Sequence, residues 1–277
     1  MICKKALLSF VTLVTIVMGL SITQLSIALE IKGDWIQGRM LIGSVEPGSK
    51  VSFLDRDVSV GEDGTFVFGL GRDAKPKAAI TVTNPDGSSS THEFKVEQRQ
   101  YNIQRVNGVP QQTVDPPPEQ IARINKESAL TRKARRLDLP ARHFLQEFQW
   151  PLLGPITGVY GSQRVYNGKP GTPHFGVDIA APTGTVVRAP IDGVVSLAYD
   201  DMFYSGGTLI IDHGHGISST FIHLSKILVK DGDEIKQGDP IAEVGATGRA
   251  TGPHLDWRMN WFNYRIDPQL LVAPMPE

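Results

Sequence analysis

Between Ile31 and Tyr101 the chain runs in short stretches of alternating apolar and polar positions, each closed by a turn signal. Lys50-Val51-Ser52-Phe53-Leu54, Thr65-Phe66-Val67-Phe68 and Ala79-Ile80-Thr81-Val82-Thr83 place successive side chains on opposite faces, as half-buried strands do. Pro47-Gly48, Glu62-Asp63-Gly64 and Asn84-Pro85-Asp86-Gly87 punctuate them, which predicts a small β-sandwich over residues 29–108. The period then changes. From Glu119 to Leu137, Ile121, Ile124, Leu130, Ala134 and Leu137 recur at helical spacing, with Arg123, Lys126, Arg132, Lys133, Arg135 and Arg136 on the remaining surface. Gly108-Val109-Pro110 and Asp115-Pro116-Pro117-Pro118 break regular structure ahead of this stretch, Pro118 suits a first helical position, and Asp138-Leu139-Pro140 ends it. Residues 109–149 therefore read as a linker carrying a basic amphipathic helix. Its charges are either a solvated face or an attraction to an anionic polymer or membrane surface. The strand pattern returns over 150–277, where Gly184, Gly206-Gly207, Asp231-Gly232-Asp233 and Gly238-Asp239-Pro240 separate Thr185-Val186-Val187, Gly193-Val194-Val195, Thr208-Leu209-Ile210-Ile211 and Ile217 to Leu224. The fold class expected is mainly β: an N-terminal small β-sandwich, a basic linker helix, and a C-terminal antiparallel β-sheet domain with an open groove.

A length of 277 residues agrees with two domains, and a formal net charge of -1 argues against a nucleic-acid partner. At the N-terminus, Lys4 and Lys5 precede an apolar run from Ala6 to about Leu25, followed by Ser26-Ile27-Ala28. This is the layout of a secretory signal over residues 1–28. The run approaches spanning length, so an uncleaved anchor is the alternative, and membrane contact would then pass through this segment alone. Export is expected under both readings. Cys3, the one cysteine, precedes the run, so the mature chain would hold no disulfide and no thiolate ligand.

Candidate chemistry concentrates in residues 150–277. Five of the seven histidines (His174, His213, His215, His223 and His254) fall there. Pro173-His174-Phe175-Gly176-Val177-Asp178 offers an imidazole and a carboxylate four positions apart, which an extended chain returns to one face. His254 and Asp256, two apart, share a face on a strand, and His223 ends the run Phe221-Ile222-His223. Imidazole with carboxylate is an ordinary zinc pair, although each histidine taken singly is as well explained by the core or the surface.

The ordered series Tyr166-Asn167-Gly168-Lys169-Pro170-Gly171-Thr172-Pro173-His174-Phe175-Gly176-Val177-Asp178, then Ile211-Asp212-His213-Gly214-His215-Gly216, Phe221-Ile222-His223-Leu224 and Gly252-Pro253-His254-Leu255-Asp256-Trp257 resembles the LytM/lysostaphin-type metallopeptidases. Those enzymes are zinc endopeptidases of the bacterial cell wall. The resemblance implies one Zn²⁺ per chain with His174 and Asp178 as its first two ligands, and His223 and His254 as catalytic histidines off the metal. It also implies peptidoglycan as substrate and a periplasmic or wall-associated location. The chain departs from the family at one point: the last motif usually ends in a second histidine, and here Asp256 stands in the place of the third ligand. Two carboxylates with one imidazole would make a divalent site formally neutral.

The resemblance further implies that a groove runs over the metal, bordered by residues 165–172 and 199–206, with Arg164 and Tyr204 as candidates for substrate contact. His213 is expected to support a ligand from behind, and His215 to lie in a loop. Two functions follow: a zinc endopeptidase that trims peptidoglycan, or a non-catalytic relative that binds the wall and activates another wall hydrolase. The sandwich would dock on the wall, cover the site, or act as a spacer.

Overall fold

The computed structural model describes residues 29–106 and 118–276. The expected signal segment and the breakers at 108–110 and 115–117 lie outside the described residues. The first domain is built from β1 (Glu30–Lys32), β2 (Met40–Ser44), β3 (Lys50–Phe53), β4 (Arg56–Val58), β5 (Thr65–Gly69), β6 (Lys77–Thr83) and β7 (Ser89–Lys95). They form two sheets, ordered β1-β2-β5 and β4-β3-β6-β7. Inward alternation puts Leu41, Val51, Phe53, Phe66, Phe68, Ile80 and Val82 in the core between them. The β-sandwich is therefore real and mainly hydrophobic inside.

The next strand, β8 (Ile103–Val106), leaves the sandwich and runs parallel to a strand of the second domain. Helix α1 (Ile121–Ala134) follows. Its apolar stripe is less buried than the periodicity suggests: Ile121 and Leu137 are exposed, while Glu127 is buried. The helix lies on a sheet rather than in a core, so Leu130 and Ala134 alone of the stripe join a small cluster with Leu197, Met202 and Ile210. Glu127 tolerates burial because its carboxylate accepts from Arg123 Nε at 2.7 Å and from the Phe203 backbone at 2.9 Å.

The second domain contains β9 (Ile156–Gly158), β10 (Gln163–Tyr166), β11 (Lys169–Pro170), β12 (Val177–Ala180), β13 (Val186–Arg188), β14 (Gly193–Met202), β15 (Gly206–Gly214), β16 (Ile217–Leu224), β17 (Lys226–Ile227), β18 (Glu234–Ile235), β19 (Pro240–Glu243), β20 (His254–Trp261) and β21 (Tyr264–Ile266). Its main sheet runs β18-β14-β15-β16-β20-β12-β9, with β21 paired to β20 and every neighbour antiparallel. β13-β19-β17 forms a second, small sheet. One face of the main sheet is packed by Leu209, Ile211, Phe221, Leu255, Trp257 and Trp261. The other face carries helix α1 and the polar residues of β20 and β12.

The two domains share one hydrophobic cluster. Phe53 meets Trp261 at 5.9 Å between ring centroids, Arg56 lies over Phe262, and Arg99 donates to the buried Asp267 at 2.7 Å.

Candidate metal centre

Strand register assembles the centre. Asp178 of β12 stands directly opposite Asp256 of β20, and Ala180 opposite His254, so the alternation of β20 places His254 and Asp256 on one face. His174 comes in from the segment before β12, fixed by its N–H on Ser162 O and by its carbonyl accepting from Gly161 N. Two glycines make the room. A Cβ on Gly158 would fall 2.2 Å from Asp178 Oδ2, and one on Gly176 would fall 2.3 Å from Asp256 Oδ1. One donor atom from each of His174, Asp178 and Asp256 lies within 4.8 Å of the others.

His223 reaches the centre through an irregularity. Leu209 pairs with Phe221 and Gly207 with Leu224, so β16 holds one more residue than β15 across this interval. In that bulge His223 takes the left-handed conformation at φ 65°. A β-bulge re-aims a side chain, and a strained non-glycine residue in it points to function. The rings of His223 and His254 lie 4.9 Å apart, and His254 Nε2 is 3.8 Å from Asp178 Oδ1.

Backbone carbonyls set the tautomers. His223 Nδ1 faces Thr247 O at 2.8 Å, His254 Nδ1 faces Gly252 O at 2.8 Å, and His174 Nδ1 faces Val159 O at 3.2 Å. A carbonyl accepts only, so each Nδ1 carries the proton and each neutral ring keeps its lone pair at Nε2. Burial holds the His223 imidazole below its ordinary value, so it is neutral near pH 7. For His174, burial pulls the same way, but the carboxylates of Asp178 and Asp256 outweigh it and hold the ring up at about 10. His174 Nε2 lies 3.0 Å from Asp178 Oδ1 and 3.4 Å from Asp256 Oδ2.

The donors fit a divalent cation. His174 Nε2 and Asp178 Oδ1 are buried and make no hydrogen bond among the described residues, although they face each other. Asp256 differs: Arg258 Nε donates to its Oδ1 at 2.9 Å and Arg258 Nη2 to its Oδ2 at 2.5 Å. A carboxylate has about four lone-pair positions, so a bidentate arginine leaves one free on each oxygen. Burial would raise the Asp256 carboxyl, yet the Arg258 guanidinium and His174 hold it far below the usual carboxylate range. Outside the three donors, Arg258 adds one positive charge beside the two carboxylates.

Two walls border the centre. One is the segment 159–174, in which β10 pairs with β8 and Arg164 Nε donates to Gln104 Oε1 at 3.2 Å. The other joins residues 203–206 to 247–252, where Arg249 lies 4.8 Å over the Tyr204 ring and His223 N donates to Ser205 O. The expectation that His213 supports a ligand is overturned. His213 is fully buried on the opposite side, with Nδ1 on Asp192 O, Nε2 on Ser219 Oγ, and Phe148 edge-on to its ring. Burial lowers it to about 4, the mark of a neutral core histidine. His215 sits in the turn between β15 and β16, buried against Phe144.

A family model, Peptidase family M23, matches residues 172–268. A crystal structure of a putative peptidase M23 from Pseudomonas aeruginosa superposes with a TM-score of 0.68 at 30% identity, over 87% of this chain and 96% of that one. The chain belongs to peptidase family M23. Among curated relatives, the peptidoglycan DD-endopeptidase ShyA of Vibrio cholerae is 44% identical over 31% of this chain and 20% of its own length. The DD-carboxypeptidase/endopeptidase Mpg of Neisseria meningitidis is 38% identical over 38% of this chain and 24% of its own length. The M23 chain thus spans about a quarter or less of these two relatives.

Proposed function

We propose that this M23 chain is a zinc-dependent endopeptidase that hydrolyses peptide bonds in bacterial peptidoglycan, with His174, Asp178 and Asp256 holding the ion and His223 and His254 as catalytic residues. The observation that carries the reading is the convergence of three metal donors and two tautomer-fixed imidazoles on one face of the sheet. The names of the curated relatives supply the substrate class. Zinc, when bound, supplies Lewis acidity that brings the pKa of water down to about 7 and polarises a carbonyl.

The protein's own residues supply the rest. His223 Nε2, neutral near pH 7, is able to accept a proton, and the Thr247 carbonyl steadies the imidazolium that results. His254 Nε2, held by the Gly252 carbonyl on the opposite nitrogen, is placed to hydrogen-bond developing negative charge or to pass a proton to a leaving amine. The walls at 159–174 and 203–206 position an extended peptide between them, with Arg164 and Tyr204 at its borders. A wall substrate places the folded chain outside the cytoplasm, as a cleaved leader ending near Ala28 would do.

A second reading has its own observation. His174, Asp178, Asp256 and Arg258 form one connected charge network, in which Arg258 engages both oxygens of Asp256. With Asp256 committed to that pair rather than to a metal, the chain would act as a wall-binding factor that activates another hydrolase. Digestion of purified peptidoglycan with the zinc-loaded protein decides between them. New peptide termini support the endopeptidase, and bound but uncut wall supports the factor.

A further inference from the structure

The face of the sheet beside the metal centre gathers three half-buried arginines, Arg135, Arg258 and Arg265, more positive charge than its carboxylates balance. Leu197, Ile210, Thr220 and Arg258 stand opposite one another across β14, β15, β16 and β20, and Asn260 stands opposite Arg265 one step along. Directly opposed residues share a face, so Arg258 and Arg265 are diagonal neighbours. Ala134 at the end of α1 packs on Leu197 and Ile210, which sets the adjoining Arg135 over the same row. Arg265 Nη1 donates to Asn260 Oδ1, and its guanidinium lies 5.7 Å from the Phe175 ring, next to His174.

The carboxylates acting on these arginines are Asp256, already gripped by Arg258, and Asp178. Arg135 Nε is buried with no hydrogen-bond partner among the described residues. Burial and the neighbouring Arg258 push Arg135 down to about 10, and burial with Arg135 and Arg258 pushes Arg265 well below its ordinary value. Like charges crowded on a half-buried face are favoured only with an anion between them, and a bound divalent ion would add to the excess. What such a cluster lacks is an anion.

We propose that Arg135 and Arg265 form a subsite for a carboxylate of the wall peptide, at the edge of the groove beside the metal centre. The planar guanidinium groups match a two-oxygen acceptor, and the subsite would set which stem peptide is held across the centre. The identity of the anion rests on the peptidoglycan reading above.

The test is calorimetric binding of a synthetic stem peptide with free carboxylates and of the same peptide fully amidated. A chelator is present throughout, so that a metal cannot hold the acid. The unmodified chain should bind the free acid about tenfold tighter, the scale of one charge-assisted contact. Arg135→Gln and Arg265→Gln should each remove most of that preference while keeping the affinity for the amide. Arg135 follows the last residue of the helix, so its variant tests the subsite even where Arg265→Gln melts early. Equal affinity for the two peptides, or a preference intact in both variants, would overturn the subsite. Displacement of the acid by inorganic phosphate at equal concentration would overturn its assignment to a peptide carboxylate. A preference that persists in a chain unable to cut peptidoglycan would sink the peptidase reading and leave the subsite standing.

Discussion

Arg258 holds both oxygens of Asp256, the residue standing where the M23 pattern usually has a histidine, with Nε 2.9 Å from Oδ1 and Nη2 2.5 Å from Oδ2. The pair balances a buried carboxylate that would otherwise share His174 with Asp178 as its one cationic neighbour. Removing one member of a buried pair costs about 3–5 kcal/mol, because the other charge stays behind. Arg258→Met should therefore lower the melting temperature in chelator, and saturating zinc should recover much of the loss by replacing the missing charge. The zinc-induced rise in melting temperature should be larger in Arg258→Met than in the unmodified chain. Equal rises would show that Asp256 and the ion do not meet.

His223 and His254 lie beside the donors, and their Nδ1 atoms are tied to backbone carbonyls. His223→Ala and His254→Ala should keep the metal and lose about 10²-fold or more in hydrolysis of cross-linked wall peptides, the usual scale for an acid–base group. Metal content measured beside product release separates the two effects. Full activity in both variants would assign the proton transfers elsewhere.

Gly158 touches no metal, yet its missing side chain leaves the space that Asp178 Oδ2 occupies. Gly158→Ala should displace Asp178 and weaken metal binding by about 10- to 100-fold, as loss of outer support does at other sites. A zinc titration with a competing chromophoric chelator reads this without reference to activity. An unchanged affinity would mean that β9 yields instead of Asp178.

Asp212 is buried in β15, where Gly214 N donates to its Oδ1 and Oδ2 has no partner among the described residues. Burial raises its carboxyl to about 7, against the hydrogen bond from Gly214. A raised folded value gives stability that is present below the unfolded value near 4 and lost as pH rises through about 7. Asp212→Asn should accordingly stabilise the protein at pH 8 by an amount on the order of 3–4 kcal/mol, and by little at pH 4. Melting curves at the two pH values check it, and the same change at both would assign the effect to packing.

The period-2 pattern made the mainly β fold and the shared face of His254 and Asp256 legible, because those positions obey plain strand alternation. Arg258 was within reach of the same rule, two residues further along β20, but nothing in the pattern shows that it folds back onto Asp256. His223 reaches the centre through a bulge and a positive φ, which alternation alone does not reveal. His213 was misjudged because adjacent residues on a strand face opposite ways, and the core contains polar partners for it at Asp192 and Ser219. The helix was legible in place but not in its burial, since its inward carboxylate, Glu127, is satisfied by Arg123 and a backbone N–H of a distant loop.

The central claim is that the three donors hold an ion required for cutting wall peptides. Purified peptidoglycan should be digested with the protein in chelator, then with zinc restored, beside Asp178→Ala, and the soluble fragments separated and weighed by mass spectrometry. The account predicts peptide-bond products with zinc, none in chelator, and none from Asp178→Ala under either condition. Cleavage that survives both the chelator and the loss of Asp178, or its absence from the zinc-loaded unmodified chain, would contradict it.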